Sequence, residues 1–99
     1  MVFKGFMGEM ELSQNAITIT KHGKSHAIPL SQIISVVLEK PGLTSNGILF
    51  IQIVGGFVPS VGTSKLRYAK DLNALAFQKS QYQDAIAFKA AIERSLADK

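Results

Sequence analysis

The chain has 99 residues, 46% of them apolar, with 11 Lys and Arg against 7 Asp and Glu for a formal charge of +4. That length supports one domain whose core buries about 65% of the unfolded surface, and the apolar share excludes disorder of the whole chain. With no cysteine, a disulfide framework, a thiolate zinc site and a thiol nucleophile are all excluded, which fits a reducing, cytoplasmic setting.

The longest apolar run, Ile48 to Val54, is broken by Gln52 and is too short to span a bilayer. The start, Met1 to Ser13, has one Lys and no sustained apolar stretch, unlike a signal peptide. The basic residues are spread along the chain and form no block, so the charge by itself names no anionic partner.

In chain order, Val2 to Met7 is apolar with glycines around it and reads as an edge strand or as an arm packed on the core. Glu9 to Ser13 alternates, Met10 and Leu12 facing in and two Glu facing out. Gln14-Asn15 reverses the chain, and Ala16 to Lys21 follows with Ile17 and Ile19 inward. Lys21-His22-Gly23-Lys24 is a second hairpin tip, with a positive φ expected at Gly23. Ser25 to Leu30 resumes the alternation, and because Pro29 cannot donate to a ladder this strand is short or lies at an edge. Ser31-Gln32 then turns the chain into the β-branched strand Ile33 to Glu39.

Lys40-Pro41-Gly42 ends that strand, and Asn46-Gly47 is the strongest short turn signal in the chain. Ile48 to Val54 is a strand with Leu49, Ile51 and Ile53 on one face and Gln52 marking the other as partly wet. Gly55-Gly56 opens a long loop, 57–71, in which Leu66 to Ala69 could add one more strand. The final strand, Leu72 to Gln78, sets Leu75 and Phe77 against Ala74 and Ala76.

A helix over about 81–97 is the best-specified element. Ser80 and Gln83 have the spacing of a capping box. Asp84 near the start and Arg94 near the end complement the helix dipole. At about 100° per residue, Ala85, Phe88, Ile92 and Leu96 form one stripe, extended by Tyr82 and Ile86. Lys89 lies at its edge and would have to snorkel. Strands within 9–78 followed by one capped helix predict a single domain, mainly β, of six to seven antiparallel strands: a small barrel or orthogonal sandwich plugged by Tyr82, Ala85, Phe88, Ile92 and Leu96.

At this point the sequence resembles a family. Ile28-Pro29-Leu30-Ser31-Gln32-Ile33-Ile34-Ser35-Val36 looks like the I-P-x-x-x-I-x-x-V stretch of bacterial pleckstrin-homology-like domains. The Gly47-Ile48-Leu49-Phe50 strand, the Asn73-to-Phe77 strand and the closing helix occur in matching order. Phe3-Lys4-Gly5-Phe6 and Glu11-Leu12 resemble a bacterial subgroup labelled a domain of unknown function, sometimes followed by a short C-terminal oligomerisation-type (SHOCT) segment. The resemblance implies a pleckstrin-homology-like barrel and says little about activity.

The chemistry-bearing residues are few. His22 and His26 flank a hairpin tip, and without a third ligand they read as turn histidines, not a metal site. Glu9 and Glu11 alternate with Met10 and Leu12 and read as a wet face in place of a catalytic carboxylate pair. No Ser or Thr sits in a nucleophile elbow, and Gly56 to Lys65 lacks the Gly-Lys-Ser/Thr ending of a phosphate loop. The expectation is therefore no enzyme, no cofactor, no metal and no small-molecule substrate.

Two basic groups remain: Lys21 and Lys24 at the hairpin tip, and Lys65, Arg67 and Lys70 in the long loop beside Tyr68. In phosphoinositide-binding relatives of the resembled family, basic residues from a hairpin loop at the barrel mouth grip the head group. Lys21 and Lys24 loosely echo that arrangement, and all five residues are the candidate anion or lipid site. One Arg-Tyr pair is no stacking platform, so nucleic acid is not supported. The leading expectation is a protein-interaction or self-association module working through the edge strand at Pro29, the N-terminal arm or the long loop. Peripheral binding to anionic membrane lipid is the alternative.

Overall fold

The computed structural model describes residues 1–56 and 71–98. They form β1 (Val2–Gly5), β2 (Gly8–Leu12), β3 (Ala16–Lys21), β4 (Lys24–Pro29), a 3-10 turn (Leu30–Gln32), β5 (Ile33–Glu39), β6 (Gly47–Ile53), β7 (Ala74–Phe77), a second 3-10 turn (Lys79–Gln81) and a helix, α1 (Tyr82–Ala97). β1 to β4 make one antiparallel meander, and β5 to β7 make a second antiparallel sheet. The architecture is thus mainly β with one C-terminal helix, the class expected from the alternation and the helical stripe.

No ladder joins the two sheets among the described residues, so these form no closed barrel. Instead β7 lies across the hairpin ends of the first sheet. Phe6 N–H donates to Ala76 O at 2.7 Å, and a Cβ on Gly5 would stand only 2.6 Å from that same carbonyl. Only glycine permits so close an approach.

β1 is a regular edge strand, which resolves the choice between a strand and an arm. Its register with β2 sets Phe3 opposite Met10, and both are fully buried. Phe3 joins all three layers. Its ring lies 5.8 Å edge-on from Phe77 of β7 and 5.8 Å from Phe88 of α1 in a stacked pose. Such aromatic pairs add about 0.5–1.5 kcal/mol each beyond their burial. Around them pack Met10, Ile17, Ile19, Leu49 and Ile51, from both sheets.

α1 turns Ala85, Phe88, Ala91 and Ile92 into this core, while Tyr82 and Leu96 are half-buried against it. Tyr82 stacks on Phe77 at 6.1 Å. Ala91 extends the buried stripe, and Ile86 drops out of it at 39% exposure. Lys89 bonds Glu93 one turn on, at 2.8 Å.

Several local expectations are corrected. The capping box is not Ser80/Gln83. It is Gln78/Gln81, where the Gln78 N–H donates to Gln81 Oε1 at 2.8 Å across the second 3-10 turn, and the helix begins only after it. Two glutamines three apart can do what Ser and Gln would have done. The strongest turn signal, Asn46-Gly47, is not the turn: the chain reverses at 42–45, where Gly42 N–H donates to Ser45 O at 3.1 Å. Gly47 opens β6 because a Cβ there would lie 2.4 Å from the Phe77 ring.

The last strand starts at Ala74, not Leu72. Asp71 Oδ1 accepts the Asn73 N–H at 2.9 Å, and Asp71 O accepts the Ala74 N–H, forming a turn that leaves Leu72 exposed. The second face of β6 is dry at Ile48 and Phe50, which form a small separate cluster with Ala74 and Val37, and partly wet at Gln52 as expected. Gln52 lies beyond it, its Oε1 accepting from Ser35 Oγ at 3.1 Å. β5 carries a bulge between Ile33 and Ser35, which leaves Ile34 unpaired and 54% exposed.

Candidate binding face at the hairpin tips

The tips of the β1–β2 and β3–β4 hairpins point the same way, and the entry to β7 crosses beside them. Between these three pieces lies an open pocket of about 730 Å³, lined by Phe6, Met7, Lys21, His22, Lys24, Ser25, His26, Leu72, Leu75 and Ala76. Its floor is Leu75 and its rim is apolar, although the rim faces water: Phe6, Met7 and Leu72 are 45%, 67% and 72% exposed. Three large apolar side chains are thus gathered at one exposed end of the sheet.

The backbone at the rim is strained. Met7 and His22 are the two non-glycine residues with positive φ among the described residues, at 61° and 53°, and both line this pocket. At the β3–β4 tip His22 shares the left-handed conformation with Gly23 (φ 77°), which makes a type I′ turn, where glycine alone had been expected to carry it. A side chain in this region costs about 1–2 kcal/mol, so holding two of them at one site sacrifices stability to place side chains.

Two polar ties hold the pocket together. Lys21 Nζ donates to Asp71 O at 3.0 Å and to Ala74 O at 2.7 Å, binding the hairpin to the start of β7. His26 Nε2–H donates to Asn73 Oδ1 at 2.9 Å beside it. Burial pushes the Lys21 ammonium below the ordinary lysine range, and the nearby Asp71 charge offsets part of that. Lys21 is half-buried in these ties, whereas Lys24 is exposed at the rim.

Of the five candidate anion-binding residues, the structure brings Lys21 and Lys24 to this pocket. Lys65, Arg67 and Lys70 lie outside the described residues, as do Tyr68 and the candidate strand Leu66 to Ala69. Among the described residues no three His, Cys, Asp or Glu side chains converge as metal ligands would. A second open pocket, of about 610 Å³, sits beside the β5–β6 turn, lined by Lys40, Pro41, Gly42, Leu43, Lys79 and Tyr82. It contains neither of the strained non-glycine residues.

Sequence reasoning found the basic hairpin and missed the apolar rim. Gly5-Phe6-Met7-Gly8 did carry a signal, since two large apolar residues between glycines at a tight tip have no core to enter. Leu72 was missed because it was read as the first residue of a strand.

No helix among the described residues is long and apolar enough to cross a membrane. Comparison with curated proteins finds no match. Residues 12–93, from the end of β2 through most of α1, match the family described as Domain of unknown function (DUF4429), and the chain belongs to that family.

Proposed function

We propose that this chain is a non-catalytic interaction module of pleckstrin-homology-like type, from a bacterial cytoplasmic protein, and that it binds a protein partner or a second copy through the hairpin-tip face. The observation that carries the reading is the exposed rim of Phe6, Met7 and Leu72 around one pocket. The left-handed backbone at Met7, in the two-residue loop between Gly5 and Gly8, supports it by holding a large apolar side chain at a position where glycine would be less strained. The pleckstrin-homology-like assignment is supported by the four- and three-stranded sheets with a closing helix and by the Ile28-to-Val36 resemblance. The sequence carries no nucleophile elbow and no complete phosphate loop, which supports a binding role over catalysis.

Paired affinity captures with the wild type and a Phe6→Ser/Leu72→Ser variant test the face. A partner retained by the wild type and lost by the variant supports it, and equal retention by both overturns it. Light scattering over a concentration series decides whether the partner is a second copy.

A specific observation also favours the second reading, anionic lipid head groups. Lys24 and His22 stand beside the exposed Phe6 and Met7, so basic and apolar groups could meet a membrane surface together. Each basic residue near such a surface contributes about 1 kcal/mol. Co-sedimentation with phosphatidylcholine vesicles, with and without phosphatidylserine, separates the two readings. Lipid binding predicts a gain with phosphatidylserine that Lys24→Glu removes.

A further inference from the structure

Among the described residues β4 is the outer strand of its sheet, paired on one side only, with β3. Its parity can be read from both ends. The two-residue type I′ turn makes Lys21 and Lys24 a hydrogen-bonded pair. At the far end Leu30 N–H donates to Asn15 O at 2.9 Å, which keeps the even-numbered residues bonded toward β3. Ser25, Ala27 and Pro29 therefore aim their backbone groups away from the sheet.

All three are exposed. Pro29 has no N–H to offer and stops any pairing at that end. Ser25 and Ala27 present their N–H and C=O groups at the other end, next to the pocket, which Ser25 itself lines. Natural edges are commonly blunted along their length by charge, proline or a bulge. Here proline guards the far end only.

The charge of the pocket selects what would pair. Its lining includes Lys21, His22, Lys24 and His26 and, among the described residues, no carboxylate. The nearest described acid, Asp71, already has one oxygen occupied by the Asn73 N–H. We infer that the β4 edge takes up an extended acidic peptide segment as an added strand. Its main chain bonds Ser25 and Ala27, an apolar side chain enters the pocket beside Leu72, and a carboxylate meets Lys24. Main-chain bonds supply the affinity of such docking, and the pocket with its cation supplies the selectivity. The inference rests on the binding-face reading and names the partner's chemistry.

The test uses the full chain labelled with nitrogen-15 and a blocked peptide of alternating Val and Glu, with alternating Val and Lys as the control. The acidic peptide is expected to shift Phe6, Met7 and Leu72 and to slow amide hydrogen exchange at Ser25 and Ala27, and the basic peptide to do neither. Ala27→Pro removes an outward N–H without touching the β3 ladder, and is expected to weaken binding about tenfold or more. Lys24→Glu, a second variant away from the backbone, should reverse the preference between the two peptides.

Acidic-peptide binding that shifts the rim but leaves Ser25 and Ala27 unprotected, with Ala27→Pro binding equally well, would overturn strand addition and leave the binding face standing. Failure of the wild type to bind the acidic peptide overturns the inference; if phosphatidylserine vesicles then shift the same rim residues, the protein-partner reading falls with it. Protection of Ala27 without peptide, in a species that light scattering finds to be a dimer, assigns the edge to a second copy and also overturns it.

Discussion

The side of the core closed by α1 and the end formed by the hairpin tips use similar residues to opposite effect. On the closed side, Phe3, Phe77 and Phe88 meet ring to ring, each at 1% exposure or less. At the tips, Phe6 and Met7 stand in water, and Met7 sits on a backbone conformation that only glycine adopts freely. The first region is built as folding alone would build it. The second gives up stability in several small ways, and such departures gather where a surface must do something besides fold.

The largest expected effect lies on the closed side. Phe88→Ala and Phe3→Ala should each cost about 3–5 kcal/mol in urea unfolding, a large share of the ~5–15 kcal/mol a small domain has. Phe6→Ala at the tip should stay within about 0.5 kcal/mol. A Phe88→Ala loss close to that of Phe6→Ala would erase the contrast and with it the helix-closed core.

A smaller effect tests the strain. Met7→Gly should be more stable than Met7→Ala by about 1 kcal/mol, the reverse of the usual order, because alanine keeps a Cβ at φ 61°. The usual order in thermal melts would mean that the tip is relaxed in solution.

The smallest effect concerns Lys21, whose folded-state pKa is lowered mainly by burial. Just below the ordinary lysine value of 10.5 the unfolded chain then holds more protons than the folded one. Stability owed to this group therefore rises with pH through that window and is least favourable at neutral pH. The difference in unfolding free energy between wild type and Lys21→Met should grow toward that pH. A difference that shrinks there would mean that the bonds to Asp71 O and Ala74 O outweigh the burial.

Much of the fold was legible because it is written in local periods. Ile17 and Ile19 in β3, and Phe88 and Ile92 in α1, fall where alternation and a 3.6-residue repeat put them. The errors came where two local signals competed. Asn46-Gly47 is a good turn pair, yet Gly47 was needed under Phe77, so the turn moved to 42–45. Leu72 fits a strand by composition, but the Asp71 side chain captured the backbone first. Of the site, the cations were visible as a cluster in the hairpin, and Phe6 and Met7 between glycines carried a local signal, while their meeting with Leu72 was not legible because it lies far away in sequence and fits a strand by composition.

By itself, then, the sequence determined the mainly β class, the register of β3 and the buried face of the helix. Each depends on residues a few positions apart, whose spacing decides which side of an element is dry. Only the tertiary structure decided that β1 joins both sheets and the helix through Phe3. Only it showed that β7 crosses the hairpin tips and that Lys21 bonds carbonyls some fifty residues away. Those contacts depend on how two sheets stack and on where a glycine allows close approach, and no local period carries that information.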